Sequence, residues 1–245
     1  MTASRTWATA RRVVQQLRHD PRTIALLLVV PCVLQILVHA LFADSSQIFQ
    51  KLGVPLLGLF PFVAMFLVTS ITMLRERLSG TLERLLTTPI ARGDLLVGYG
   101  TSFAALAAIQ ATLVSALSFG LLGLDAGHSV VAVVAIAIAN AVLGMSLGLF
   151  ASAFAQTEFQ AVQFMPAFVL PQILLCGLIV PRDQMAAWLQ AISAVLPLTY
   201  AYDALAKLAS STPLGARFWV DVVVIVGVSV LSLGLGAATL RRRTP

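Results

Sequence analysis

Groups able to do acid–base, nucleophilic or metal chemistry are few in this chain, and they are poorly placed for it. Its 245 residues include three histidines, two cysteines and ten carboxylates. His19 and His128 fall in connections between apolar runs, and His39 lies near the end of one. Cys32 and Cys176 each sit inside an apolar run, with no spacing that reads as a disulfide framework or a metal site. No G-x-x-x-x-G-K-[ST] phosphate loop exists, so the chain does not hydrolyse nucleotide alone. A charge at the centre of a bilayer costs about 2.5–3.5 kcal/mol and marks a proton or ion path where it is kept. None is placed there: Asp221 is near the end of the last apolar run and Glu158 lies at a junction between two others. A proton relay and an intramembrane protease both lack their groups. What stands out is Arg75 to Pro89, RERLSGTLERLLTTP, which concentrates Arg75, Glu76, Arg77, Glu83 and Arg84 between two apolar runs. Leu78, Leu82, Leu85 and Leu86 recur there at helical spacing, which predicts an amphipathic surface and no reactive centre. Gly80 interrupts that pattern and Pro89 ends it. The same residues also suit an ordinary charged loop with interfacial leucines.

The elements that hold this stretch follow from composition. The chain is 59% hydrophobic and 11% charged, with mean hydropathy +0.94 and a pI near 10.2. A soluble domain carries roughly a quarter charged residues. Apolar blocks of about twenty residues, enough to cross some 30 Å of hydrocarbon, predict six spans at about 23–42, 54–74, 95–121, 129–155, 160–181 and 218–240. The expected fold is an all-α polytopic membrane protein with one domain over 1–245 and no internal repeat. The third and fourth spans look overlong, and Pro166 and Pro171 must kink the fifth. Before the first span, Trp7, Ala10, Val14 and Leu17 face away from Arg11, Arg12, Gln15 and Arg18, which predicts an interfacial helix within residues 1–22. The first apolar run is too long for a typical secretory core and no convincing cleavage site follows, so it reads as an uncleaved span. The net charge of +6 comes from basic residues that flank apolar blocks and form no soluble basic face, so no nucleic-acid partner is expected.

Lysine and arginine set the orientation. Arg5, Arg11, Arg12, Arg18, Arg22, Arg75, Arg77, Arg84, Arg92, Arg241, Arg242 and Arg243 share one side, against Lys51, Arg182, Lys207 and Arg217 on the other. Both termini and the 75–93 region are therefore expected in the cytoplasm of a multi-pass protein of the cell membrane. The 182–217 connection then faces outward. In it Met185, Trp188, Leu189, Ile192 and Leu196 predict an amphipathic helix that begins after Pro181, ends at Pro197 and lies in or dips into the outer leaflet, unless it is a plain extracellular loop. Gln35, Thr69, Ser70, Thr72, Gln110, Asn140, Gln163 and Gln172 are the polar residues expected at depth, where such side chains most often bond between helices. Gly144 and Gly148 form a G-x-x-x-G pair that permits close helix approach.

Three stretches together resemble the integral membrane subunits of ABC type-2 exporters, the group holding drug-resistance permeases and polysaccharide or lipid exporters. Glu76…Gly80-Thr81-Leu82-Glu83…Pro89 is similar to the cytosolic helix after the second span of that family. Gly177-Leu178-Ile179-Val180-Pro181 through Met185…Trp188-Leu189, then Pro197-Leu198-Thr199-Tyr200, resembles its signature between the last two spans. Arg18-His19-Asp20-Pro21, before a first span containing Pro31, resembles its amphipathic opening helix. Lys207 stands where members often carry arginine, keeping the charge without the bidentate fork. The resemblance implies two six-span halves, identical or different, docked on two separate ATPase subunits that hold ATP and Mg, with no cofactor in this chain. It implies that Leu78, Leu82 and Leu85 insert into a groove on the ATPase, while Arg75, Glu76, Glu83 and Arg84 set register and Gly80, Thr81 and Pro89 shape the helix. It further implies that Gly177, Pro181, Met185, Trp188, Leu189 and Pro197 line or close the exit. A secondary carrier or channel, or a membrane scaffold without transport, are the rival readings of the same composition.

Overall fold

Asp20 opens the first membrane helix by local chemistry. Its Oδ1 accepts from the Thr23 amide at 3.2 Å and its Oδ2 from the Thr23 hydroxyl at 2.6 Å, so two otherwise unpaired donors are satisfied. Pro21 then takes the first helical position, where a missing N–H does no harm. The structure, a computed structural model, describes residues 20–80 and 92–239 together with Arg11 and Gln15. The expected interfacial helix of residues 1–22 and the C-terminal arginines therefore fall almost wholly outside the described residues.

The helices are α1 (Pro21–Leu41), α2 (Ser46–Leu78), α3 (Arg92–Gly120), α4 (Val130–Ala151), α5 (Glu158–Phe164), α6 (Leu170–Leu175), α7 (Ala187–Ser193), α8 (Pro197–Ala209) and α9 (Ala216–Thr239). Five of them are long and apolar enough to cross a membrane: Thr23–Leu41, Ser46–Leu78, Val97–Gly120, Val130–Ala151 and Ala216–Thr239. Together with the family evidence given below, they make this a multi-pass membrane protein. No strand occurs among the described residues.

The bundle is centred on α2 and α4. The glycine pair on α4 explains how close they come. A Cβ on Gly144 would lie 2.3 Å from the carbonyl oxygen of Phe62, and one on Gly148 would lie 2.4 Å from that of Phe66. The G-x-x-x-G motif is thus an internal seam between α2 and α4, not an outward face. Around this pair pack α1 on α2, α3 and α9 on α4, and α8 against α2, α4 and α9. Outward-facing Leu26, Val29, Val33 and Leu37 on α1, and Val223, Val226 and Val230 on α9, stay exposed as a lipid-facing surface requires.

Three expected elements take different forms. The fifth span is not one α-helix: α5 passes through a π turn at Met165–Val169 into the short α6. Pro166 and Pro171 remove two N–H groups from that stretch, and the wider turn accommodates the loss. The second span begins earlier than position 54 and runs to Leu78, so Arg75, Glu76, Arg77 and Leu78 form its last turn. The outer helix is shorter than the apolar spacing suggested. A 3₁₀ turn at Arg182–Gln184 precedes α7, and Pro197 does not merely end it but opens α8. The buried residues of α8, Leu198, Ala201, Ala204, Leu205 and Leu208, recur at helical spacing and dock on the core.

Candidate functional site

At one end of the bundle α2 stops after Leu78, and Gly80 turns the chain with φ +69°, a left-handed conformation that favours glycine. The break expected there is in place. Thr81, Leu82, Glu83, Arg84, Leu85, Leu86 and Pro89 lie outside the described residues. The residues just before them are engaged within the chain. The Arg75 guanidinium donates from Nε and Nη2 to the two oxygens of Glu158 at 2.8 and 2.9 Å. Arg77 donates to the carbonyl of Ser152, the C-cap of α4. Glu76 is buried, whereas Leu78 is 60% exposed. The Arg75 guanidinium holds the Glu158 carboxyl below the usual glutamate range, chiefly through these hydrogen bonds.

At the opposite end the residues after α6 build a folded cap. Gly177 has φ +105°, and a Cβ there would press on the Tyr202 ring at 3.1 Å. Arg182 pairs with Asp203 of α8 at 2.8 Å. Ser193 donates to the Leu175 carbonyl at 2.8 Å, and Thr199 donates to the Ser193 carbonyl at 2.8 Å. The side-chain oxygen of Gln172 accepts from the Leu198 amide at 3.4 Å, satisfying one free donor at the start of α8. Of the expected exit residues, Pro181 and Trp188 are exposed while Met185 and Leu189 are partly buried. Pro197 occupies the first position of α8.

Sequence reasoning left an ion pair at Lys207 in doubt and did not find the partners of the charges in this cap. Asp203 and Lys207 are four residues apart on α8, as are Arg217 and Asp221 on α9, and that double spacing was the available signal. Lys207 pairs with Asp221, which is completely buried, and Arg217 approaches the same carboxylate at 4.0 Å. Replacing an arginine fork with lysine therefore does not abolish the contact. Burial raises the Asp203 carboxyl above its ordinary range, only partly opposed by Arg182.

The polar residues expected at depth mostly bond to helix backbone. Gln110 donates to the Leu27 carbonyl at 2.8 Å, the acceptor that Pro31 leaves without its usual helical donor. Gln35 donates to the Gly53 carbonyl at 3.2 Å, and Thr69 donates to that of Met65 at 2.6 Å. None of the eight lines the apolar groove of about 430 Å³ that Leu27, Pro31, Val63, Met165 and Ile173 form with neighbours from α1, α2 and the α5–α6 segment. No cluster of metal-ligating side chains occurs among the described residues.

Known proteins place this architecture. Residues 4–209 match the family described as ABC-2 type transporter. The chain is 27% identical over 148 residues to the probable multidrug ABC transporter permease YbhR of Escherichia coli strain K12, covering 60% of this chain and 40% of that one. It is 28% identical over 178 residues to YbhS of the same strain, named likewise, covering 72% and 47%. Over 168 residues it is 27% identical to the linearmycin resistance permease protein LnrN of Bacillus subtilis strain 168, covering 69% and 42%. The chain thus spans less than half the length of these relatives. With the family match running along most of its 245 residues, this protein belongs to the ABC-2 type transporter family.

Proposed function

We propose that the chain is the membrane-embedded permease subunit of an ATP-driven exporter. The observation that carries this reading is the family match over residues 4–209. On this reading α1, α2, α3, α4, the interrupted α5–α6 segment and α9 are the six spans of one half, and a second permease half completes the pathway. The Gly80 end faces the cytoplasm, where separate ATPase subunits holding ATP and Mg dock on residues 78–89. The cap around Trp188 faces outward and guards the exit. An amphipathic drug-like, lipid-like or glycan cargo suits an interior whose polar groups are neutral and whose groove is apolar. Alternating access follows if nucleotide binding favours one arrangement of the halves over the other, since only that difference can shift the equilibrium.

Co-purification tests the reading. A separate ATPase subunit should be retained by the unaltered chain and lost by Leu82→Asp, because burying an unpaired carboxylate in an apolar groove costs several kcal/mol against 1.4 kcal/mol per tenfold in affinity. Glu83→Ala, at the rim of the same stretch, should keep the partner. Full retention by Leu82→Asp at matched expression would falsify docking through this helix. A chain that brings down no ATPase is a carrier or a scaffold.

A further inference from the structure

The end of α2 and the turn between α4 and α5 are joined in two layers. Below, Leu74 packs with Ala155 and Ala161, and Ile71 and Phe164 close round them. Above, Arg75 grips both oxygens of Glu158, and Arg77 holds the end of α4 through Ser152. Glu158 is the first residue of α5, and the turn it belongs to is fixed independently. Thr157 accepts from the Gln160 amide at 3.2 Å, and the Gln160 side chain accepts from the Gln156 amide at 2.8 Å. A bidentate fork sets orientation as well as distance, and here it ties the last turn of one helix to the first turn of another. Half-exposed as it is, the pair adds little to stability. Its geometry has more to offer than its energy.

From Glu158 the chain runs through α5 into the π turn, then into α6. Gln172 on α6 meets the start of α8, and Leu175 at its end receives Ser193 from α7. A continuous set of contacts therefore leads from the end of α2 to the cap at the far side of the bundle.

We propose that Arg75 and Glu158 are positioning residues whose fork passes displacement of the α2 end into α5 and, through the π-turn segment, to the Gly177–Gln184 stretch of the outer cap. Arg75 then faces into its own chain and sets no register on an ATPase. The inference rests on the proposed function, because the displacement comes from the docked ATPase.

A double-mutant cycle tests it in the full complex with its ATPase, using Arg75→Ala, Glu158→Ala and the pair together. Each is built on Gln184→Cys, an exposed position of the 3₁₀ turn, in a chain whose own cysteines are replaced. The readout is the rate of labelling by a membrane-impermeant maleimide, without nucleotide and after trapping with ATP, Mg and vanadate. In the parent the two rates differ. Each single variant should shrink their ratio toward one, by roughly threefold or more, while ATPase co-purification stays unchanged. The double variant should be no worse than either single, since one contact can be lost only once. Arg75→Lys, which keeps charge and fold but not the fork, should fall between.

Additive losses, an unchanged ratio, or a parent that does not respond to vanadate each overturn the joint. So does loss of the ATPase from Arg75→Ala but not from Glu158→Ala, which would make Arg75 a docking contact. Failure of the unaltered chain to bring down any ATPase is a different result and removes the exporter reading itself.

Discussion

Lys207 is 30% exposed, and the carboxylate it holds, Asp221, is wholly buried. Removing one partner of such a pair leaves an uncompensated charge, at a cost of about 3–5 kcal/mol. Lys207→Ala should therefore lower the midpoint of thermal unfolding in detergent sharply. Lys207→Ala with Asp221→Asn should recover most of the loss, and a double variant as unstable as the single would show that the pair is not what matters. Both residues stood in plain view in the sequence, and Asp221 was correctly placed near a span end. Their meeting was not legible, because it depends on α8 folding back across α9. The same holds for Gly144 and Gly148: their spacing announced a close approach, but only the packing shows that the carbonyls of Phe62 and Phe66 fill the space.

Elements were readable where one period ran without interruption. The spans now seen as α1, α3, α4 and α9 follow from apolar length alone, although α1 begins at Pro21, two residues before the expected start. The fifth span was recognised as kinked from Pro166 and Pro171, yet its π turn has no pattern of its own to read. The outer segment shows the opposite failure. Met185, Trp188, Leu189, Ile192 and Leu196 fit one helical stripe by number, but only Trp188, Leu189 and Ile192 lie in α7, while Met185 follows the 3₁₀ turn and Leu196 caps the start of α8. The Gly80 break was correctly anticipated, whereas the use of Arg75 against Glu158, 83 residues away, was not. The two ends of the bundle should also respond differently to acid. Glu158 has a lowered pKa, so its favourable contribution is complete above the ordinary glutamate range and disappears as pH falls through the lowered value. Asp203 has a raised one, so the fold favours its protonated form, and that contribution is lost as pH rises through the raised value. Burial is the largest cause of that shift; Arg182, Lys207 and Arg217 oppose it, and the Asp221 carboxylate adds to it. On acidification Asp203 should take up its proton above the ordinary aspartate range, and Glu158 should hold its charge to below the ordinary glutamate range. Infrared difference spectra against Asp203→Asn and Glu158→Gln would follow the two protonations, and a shift of either group in the opposite direction would contradict this account.

For the whole molecule, the charge asymmetry predicts which end is inside. In a chain without its own cysteines, a thiol at the exposed Ser211 should react with an impermeant reagent from outside, whereas one at Ser79 should react only after the membrane is opened. The opposite pattern would invert the bundle and with it the docking site. One dimension of the fold then acquires a mechanical meaning. At 1.5 Å per residue, the 33 residues of α2 extend about 50 Å, well beyond a hydrocarbon layer of about 30 Å. Its two internal prolines, Pro55 and Pro61, both lie in the half away from Gly80. From Phe62 to Leu78 nothing interrupts the helix, so this part behaves as a rigid arm of about 25 Å. Pivoted at Phe62, a tilt of about 10° would carry its Leu78 end by about 4 Å, which is travel delivered at the Arg75 fork. The seam itself cannot slip to absorb such travel, because even a Cβ on Gly144 would lie 2.3 Å from the Phe62 carbonyl oxygen. That makes the glycine seam the axle on which the arm tilts.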